Sequence, residues 1–299
     1  MRNALPVIAL SLWISAHAID IDTLWNFDDV PGSEARLQAA LERSSVPEER
    51  AALITQIARA EGLQGRPARG HAMLDELQTR LSELQPEISI RYMLERGRLY
   101  SSSNRPLSER WLRHTIQLAS KHKLDGFVIE ATHMLALIQQ QGSAIDMNLK
   151  ALKLAEASSD PAAMKWQPTL YNNLGWQYLD QRNYEKALEY LKKAEDWYTS
   201  HPDPRGLNAA HWSVGKLLRL NGKSTEALDI QMSLTKAQSV DKSLLGYVFE
   251  EIAENLVVLG RLPEAKQYYG KAWKQLAEDP WLSKSDPNRL ARLKALSID

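Results

Sequence analysis

Gly222-Lys223-Ser224-Thr225 reads like the tail of a phosphate loop, where backbone amides cradle phosphate and a lysine reaches it. The glycine needed five residues before Gly222 is Leu217, and the run lies in a turn between two helices, not between strand and helix. Nucleotide binding is therefore not expected. Glu130 and His133 have the Glu-x-x-His spacing of carboxylate di-metal bundles, but those sites need a second such motif and two further glutamates. With one motif, His133 is expected to pack or hydrogen-bond between helices. There is no His-Glu-x-x-His, and His71, His114, His122, His201 and His211 do not cluster by spacing. Scattered Ser, His and Asp cannot define a nucleophilic triad without geometry. The sequence has no cysteine, which excludes disulfides, zinc thiolates, iron–sulfur clusters and cysteine nucleophiles. The expectation is a non-enzymatic chain that needs no metal and no cofactor.

Binding is the chemistry left, and the elements that would carry it are helices. The 299 residues hold 37 Lys plus Arg against 37 Asp plus Glu, a balance that argues against a dedicated nucleic-acid binder. Hydrophobic residues at 44% and charged residues at 25% fit a folded globular chain, neither disordered nor a polytopic membrane protein. Apolar residues recur at i, i+3, i+4, i+7, as Leu188, Leu191, Ala194 and Tyr198 do, and no sustained period-two alternation appears. Gly and Pro punctuate these runs. The pattern predicts helices over 33–43, 47–61, 67–84, 87–102, 106–121, 125–140, 144–157, 165–181, 184–199, 205–221, 224–237, 241–259, 262–277 and 286–297. Short connections between helices of similar length make antiparallel neighbours, and so many in succession predict stacked hairpins rather than one closed bundle.

Self-comparison gives the repeat. Its clearest unit is LYNNLGWQYLDQRNYEKALEYLKKAEDW, residues 170–197, with Tyr171, Leu174, Gly175 and Tyr178 on one helix and Ala187, Leu191 and Ala194 on the next. Gly215 and Ala227 repeat Gly175 and Ala187 40 residues on, and Ala253 and Ala265 follow 38 residues later. Small residues at these places let paired helices approach closely. The aromatic, Leu-Gly, Tyr, Ala, bulky, Ala order resembles the tetratricopeptide repeat. WNFDDVPGSEAR, LITQIARAEGLQGR, LERGRLYSSSN, EATHMLALIQQ and DPWLSKSDPNRLARLKAL further resemble a bacterial family of tetratricopeptide-repeat proteins of unassigned role, over about residues 25–297. The resemblance implies an all-α, right-handed solenoid of about six helix pairs plus a capping helix. The organisation expected is a leader over 1–18, an N-terminal segment with a short helix over 19–46, the repeats over 47–277, and the cap over 278–299. Trp281 is expected to plug the open end.

The resemblance also implies that the first helix of each pair lines a groove. Helical spacing then puts Asn172, Asn173 and Trp176 on the exposed face of 165–181. It puts Trp212, Lys216 and Arg219 on that of 205–221, and Glu250 and Glu254 on that of 241–259. Asn amides both donate and accept towards a peptide backbone, and Trp offers wide contact at small entropic cost. Lys216 and Arg219 are expected either to meet a partner or to pair with Glu250 and Glu254. Some members of the resembled family clamp a terminal carboxylate with basic residues. Asn173 stands at the clamp's Asn, but Ala209, Ser213, Tyr247 and Glu251 stand where the cations would be, so that mode is not expected. The acids at Glu250, Glu251 and Glu254 suggest instead a basic or polar partner.

MRNALPVIALSLWISAHAID has a positive start at Arg2, an uncharged apolar run and Ala16-His17-Ala18 before Ile19, the pattern of a secretory leader cleaved after Ala18. Members of the resembled family often begin near WNFDD, which makes the preceding residues look like an added export signal. Cleavage removes Arg2 and no acid, leaving 36 basic against 37 acidic residues. The expectation is a periplasmic or secreted adaptor that binds another protein or an extended peptide, with no membrane span once the leader is gone. A cytoplasmic location follows if the leader is not one. The alternative function is assembly by self-association as a homo-oligomer; an enzyme with an unrecognised site is a minor third.

Overall fold

Prolines and acidic caps set the helix starts. Pro47, Pro67, Pro86, Pro161 and Pro204 each open a helix, where the amide they lack has no intrahelical partner. Carboxylates of Asp29, Asp160, Asp203 and Asp241 accept from amides of the first turn. The computed structural model describes residues 19–139, 141–237 and 240–298. The leader over 1–18 lies outside them, as does the side chain of Trp281. The described residues form α1 (Val30–Arg43), α2 (Pro47–Leu63), α3 (Pro67–Gln78), α4 (Pro86–Tyr100), α5 (Arg105–Lys121), α6 (Asp125–Ile138), α7 (Gln141–Ala157) and α8 (Pro161–Met164). There follow α9 (Gln167–Asp180), α10 (Tyr184–Ser200), α11 (Pro204–Leu220), α12 (Ser224–Leu234), α13 (Lys242–Val258), α14 (Leu262–Leu276), α15 (Pro280–Ser285) and α16 (Pro287–Ile298). Among the described residues no strand occurs, and none of their helices is long and apolar enough to cross a membrane.

The helices differ from the periodicity in three places. The run over 67–84 stops at Gln78, where the Thr79 hydroxyl donates back to the Glu76 carbonyl and competes with the next turn. The stretch around 165 divides into α8 and α9, because Asp160-Pro161 starts a helix of its own. Asp279-Pro280 does the same for α15, with the Asp279 carboxylate accepting from the Leu282 amide.

The chain forms two compact units that divide between Trp111 and Leu112, within α5. In the first, α2 packs against α1, α3 and α4. Ala58, Leu74, Tyr92 and Leu99 form one apolar centre, and Leu37, Ala40, Leu53 and Ile57 another. A buried cation is built into α4. Arg96 pairs with Asp75 and donates to both the Nδ1 and the carbonyl of His71, at 3.0 and 3.2 Å. Burial, and then the charge of Arg96, hold His71 below its ordinary pKa, and Asp75 offsets this in part.

In the second unit α6 pairs with α7, α9 with α10, α11 with α12 and α13 with α14, and each pair packs on the next. The crossings are close. A Cβ at Gly175 would stand 2.6 Å from the Leu191 side chain and 3.3 Å from the Ala187 carbonyl oxygen. Ala187, Ala227 and Ala265 occupy the facing positions and are buried. The turns are equivalent too: Arg182, Gly222 and Gly260 all have positive φ, at 59°, 80° and 73°. Beyond the last pair, α16 lies against α14 with Leu293 fully buried.

Two outcomes follow. Gly175→Val should destabilise the second unit by about 1–3 kcal/mol through overpacking, read by urea denaturation. Protonating His71 breaks its acceptance from Arg96. The first unit should therefore lose stability as pH falls from about 6.5, the ordinary histidine value, through the lower folded one. His71→Gln should flatten that slope in pH-dependent melting.

Candidate functional site

One turn of each of α9, α11 and α13, the first helices of three successive pairs, faces a common cleft. Trp176 on α9 and Trp212 on α11 have ring centres 5.8 Å apart, and Tyr247 on α13 meets Trp212 edge-on at 6.0 Å. Asn172, one turn before Trp176, accepts from its indole N–H at 3.1 Å, which fixes the ring. With Asn208, Leu244 and Ala209 these residues line a cavity of about 390 Å³. An ion pair of Arg205 with Asp241, at 3.0 Å, also borders it. The indole Nε1 of Trp212 is buried and has no acceptor among the described residues.

A second cavity, of about 540 Å³, adjoins through Lys216 and is charged. Lys216 Nζ lies 5.6 and 5.2 Å from the ring centres of Trp176 and Trp212, a cation–π arrangement, and 3.6 Å from Glu251. Arg219 holds Glu251 with two donors, at 2.8 and 3.2 Å. Burial pulls the Arg219 pKa down, but the bond to Glu251 together with the charges of Glu251 and Glu254 outweighs it and the value rises. Glu250 accepts from Arg289 and, at 2.7 Å, from Arg292, while Arg292 also donates to Glu254 at 2.7 Å. Tyr269, behind Glu254, has its phenol pushed up to about 12 by burial and by that carboxylate.

These contacts revise the sequence reading. Asn172, Trp176, Trp212, Lys216, Arg219, Glu250 and Glu254 all line one or other cavity. Asn173 does not: its amide lies 3.4 Å from His133 Nδ1 on α6, and the His133 ring tilts against Trp166 at 5.3 Å. Lys216 and Arg219 pair with Glu251, not with Glu250 and Glu254. Glu250 was placed on an exposed face and is only 5% exposed. The acidic patch is neutralised by Lys216 and Arg219 of α11 and by Arg289 and Arg292 of α16, so it no longer argues for a basic partner. Sequence reasoning missed Tyr247 as part of the aromatic wall, Asn208, and the pair Arg289 and Arg292. The i, i+3 spacing of those arginines on an amphipathic last helix was the available signal.

Among the described residues no group of three or more His, Asp or Glu is placed to hold a metal ion. The aromatic cavity can bury an apolar side chain while Asn172 and Asn208 face polar atoms of the same ligand. Residues 168–200 match the tetratricopeptide repeat. No curated protein sequence matches the chain. Among solved structures it is similar to a signal-transduction ATPase with numerous domains and a tetratricopeptide-repeat sensor, from Pyrococcus horikoshii. That match has 14% identity and a TM-score of 0.65, and covers 90% of this chain but only 44% of that protein. It is also similar to the apo quorum sensor NprR from B. thuringiensis, at 15% identity and TM-score 0.60, covering 92% and 79%. NprR in complex with its cognate peptide NprX matches at 18% identity and TM-score 0.51, covering 92% and 81%. At these identities the likeness shows the fold.

Glu250→Ala should cost about 2 kcal/mol, below the about 3–5 of a fully buried pair because Arg292 is 46% exposed. Hydrogen exchange should rise in α16. Glu254→Ala should cost under about 1 kcal/mol, since its bond to Arg292 is more exposed.

Proposed function

We propose that this tetratricopeptide-repeat chain is a non-enzymatic binding protein whose second unit takes an extended segment of a partner protein, or a free peptide, along α9, α11, α13 and α16. The observation that carries the reading is the aromatic cavity. Trp176, Trp212 and Tyr247 come from three successive first helices and are held by their own contacts before any ligand arrives. A preformed surface loses little entropy on binding. Aromatic rings at its centre are the residue type that dominates interface energies. NprR, a structure of similar fold, binds a peptide. Carboxylate clamping has no place in this reading, because Ser213, Tyr247 and Glu251 stand where its cations would be. Export to the periplasm or medium is part of the proposal and rests on the leader pattern before Ile19.

A second reading, self-association, has its own observation. Val257, Val258, Leu259 and Leu262 are all exposed around the α13–α14 turn. Sedimentation that shows a dimer in the wild type and a monomer in Val258→Glu would support it.

The test is selection of peptides from a random library on the whole chain, followed by titration. Selected peptides should lose about 30-fold or more in affinity for the Trp176→Ala/Trp212→Ala double variant, the weight of one hot spot, with its circular dichroism unchanged. Equal affinity for the two proteins would contradict the proposal.

A further inference from the structure

The segment after the leader is tied down in the first unit. Ile19, Ile21, Leu24 and Trp25 pack on the cluster of Leu37, Ala40, Leu53 and Ile57. The Trp25 indole donates to Gln56 at 3.1 Å, and Arg36 donates to the Leu24 carbonyl at 2.9 Å. Arg59 lies over both Trp25 and Phe27, at 5.3 Å from each ring centre. The first backbone nitrogen of this segment is the one that leader cleavage would free.

That nitrogen, of Ile19, lies 3.4 Å from the Glu49 carboxylate on α2. Ser44 holds the other Glu49 oxygen at 2.8 Å, so the carboxylate is oriented. Ile19 and Ile21 border a cavity of about 370 Å³ whose charged walls are Glu48 and Glu49 from α2 and Glu87 and Arg91 from α4. Arg91 is engaged by Glu87 at 2.9 Å. Among the described residues no Lys, Arg or His side chain forms an ion pair with Glu48 or Glu49. Asp20 and Asp22, on the segment itself, are also acids. The neighbourhood thus holds more carboxylates than cations, and an amide N–H is a weak match for it.

We propose that this cavity is the seat of a processed N-terminus: hydrolysis of the Ala18–Ile19 bond creates an Ile19 ammonium that ion-pairs with Glu49. The bond broken is the peptide C–N. Water supplies hydroxyl to the Ala18 carbonyl, which leaves with the leader as a carboxylate. The Ile19 nitrogen takes up protons to become the ammonium. The proteolysis is done by a leader-cleaving protease of the host, and this chain supplies only the seat. The ammonium adds charge and two further donors where the uncleaved chain has one neutral N–H. Cleavage thereby locks the 19–29 segment onto α1 and α2. The inference is independent of the groove in the second unit.

The test has two arms. The first is the N-terminal sequence of the full chain after expression in an exporting bacterium. Ile19 as first residue is expected; any other start, or an uncleaved chain, overturns the proposal. The second compares melting of the 19–299 chain with a free Ile19 amine, of the same chain acetylated at that amine, and of both with Glu49→Gln. At pH 6 the free-amine form should melt about 2–4 °C above the acetylated one. The gap is present while the amine is protonated. It should close as pH rises past the amine's titration, which a neighbouring carboxylate moves above the ordinary value of about 7.7–8.0. With Glu49→Gln the gap should vanish at pH 6 as well. Hydrogen exchange in α1 and α2 should follow the same order, which keeps the comparison readable if Glu49→Gln itself is unstable. Equal melting of the free and acetylated forms, or a gap that survives Glu49→Gln, overturns the proposal.

Discussion

The close crossing of paired helices is the constraint on which the second unit depends. Gly175 against Leu191 and Ala187 leaves no room for a side chain at the crossing. That contact fixes the distance between α9 and α10, and with it the direction in which α9 presents Asn172 and Trp176. The next pair solves the same problem differently. A Cβ at Gly215 would stand 2.5 Å from Gln231 Nε2, and that amide donates to the Trp212 carbonyl at 3.0 Å. A buried polar side chain thus ties the crossing to the backbone of the aromatic residue itself. Because each hairpin buries its apolar face only against its neighbours, geometry set at one crossing is passed to the next. The alignment of Trp176, Trp212 and Tyr247 is a product of that relay.

Charge plays the complementary part. The cleft places four cations among three glutamates, yet each glutamate is engaged by a guanidinium. Two of those guanidinia come from α16, which stands where a further first helix would begin. The terminal helix therefore closes the apolar end with Leu293 and also completes the polar lining of the cleft. A cleft so neutralised selects by shape and apolar contact more than by net charge. Lys216 sits between the aromatic and charged halves, touching both.

Much of this was legible in the sequence. Gly175, Gly215 and Ala253, with Ala187, Ala227 and Ala265, gave the repeat and hence the pairing of helices. The i, i+3, i+4 faces brought Asn172, Trp176, Trp212, Lys216 and Arg219 to one cleft. What could not be read was which of two adjacent positions, about 100° apart around a helix, turns to the cleft. Glu250 and Glu251 are adjacent and both flank Glu254, and only the packed structure shows that Arg219 reaches Glu251 while Glu250 turns to α16. Asn173 failed for the same reason: one position from Asn172, it faces His133. Contacts between distant segments were also out of reach, since nothing local links Arg289 to Glu250 or Ile19 to Glu49. Helix starts at Asp160-Pro161 and Asp279-Pro280 were readable but looked like loop punctuation, because short helices carry too few residues to show a period.

The central claim is that the aromatic cleft of the second unit is the binding surface. Fluorine NMR of the chain labelled with 5-fluorotryptophan tests it most directly, with Trp176 and Trp212 assigned by single replacement with Phe. On titration with a peptide selected for binding, those two resonances should move together and saturate with the binding curve, while Trp25 and Trp111 of the first unit stay fixed. Movement of Trp25 or Trp111 with Trp176 and Trp212 unchanged would contradict the account.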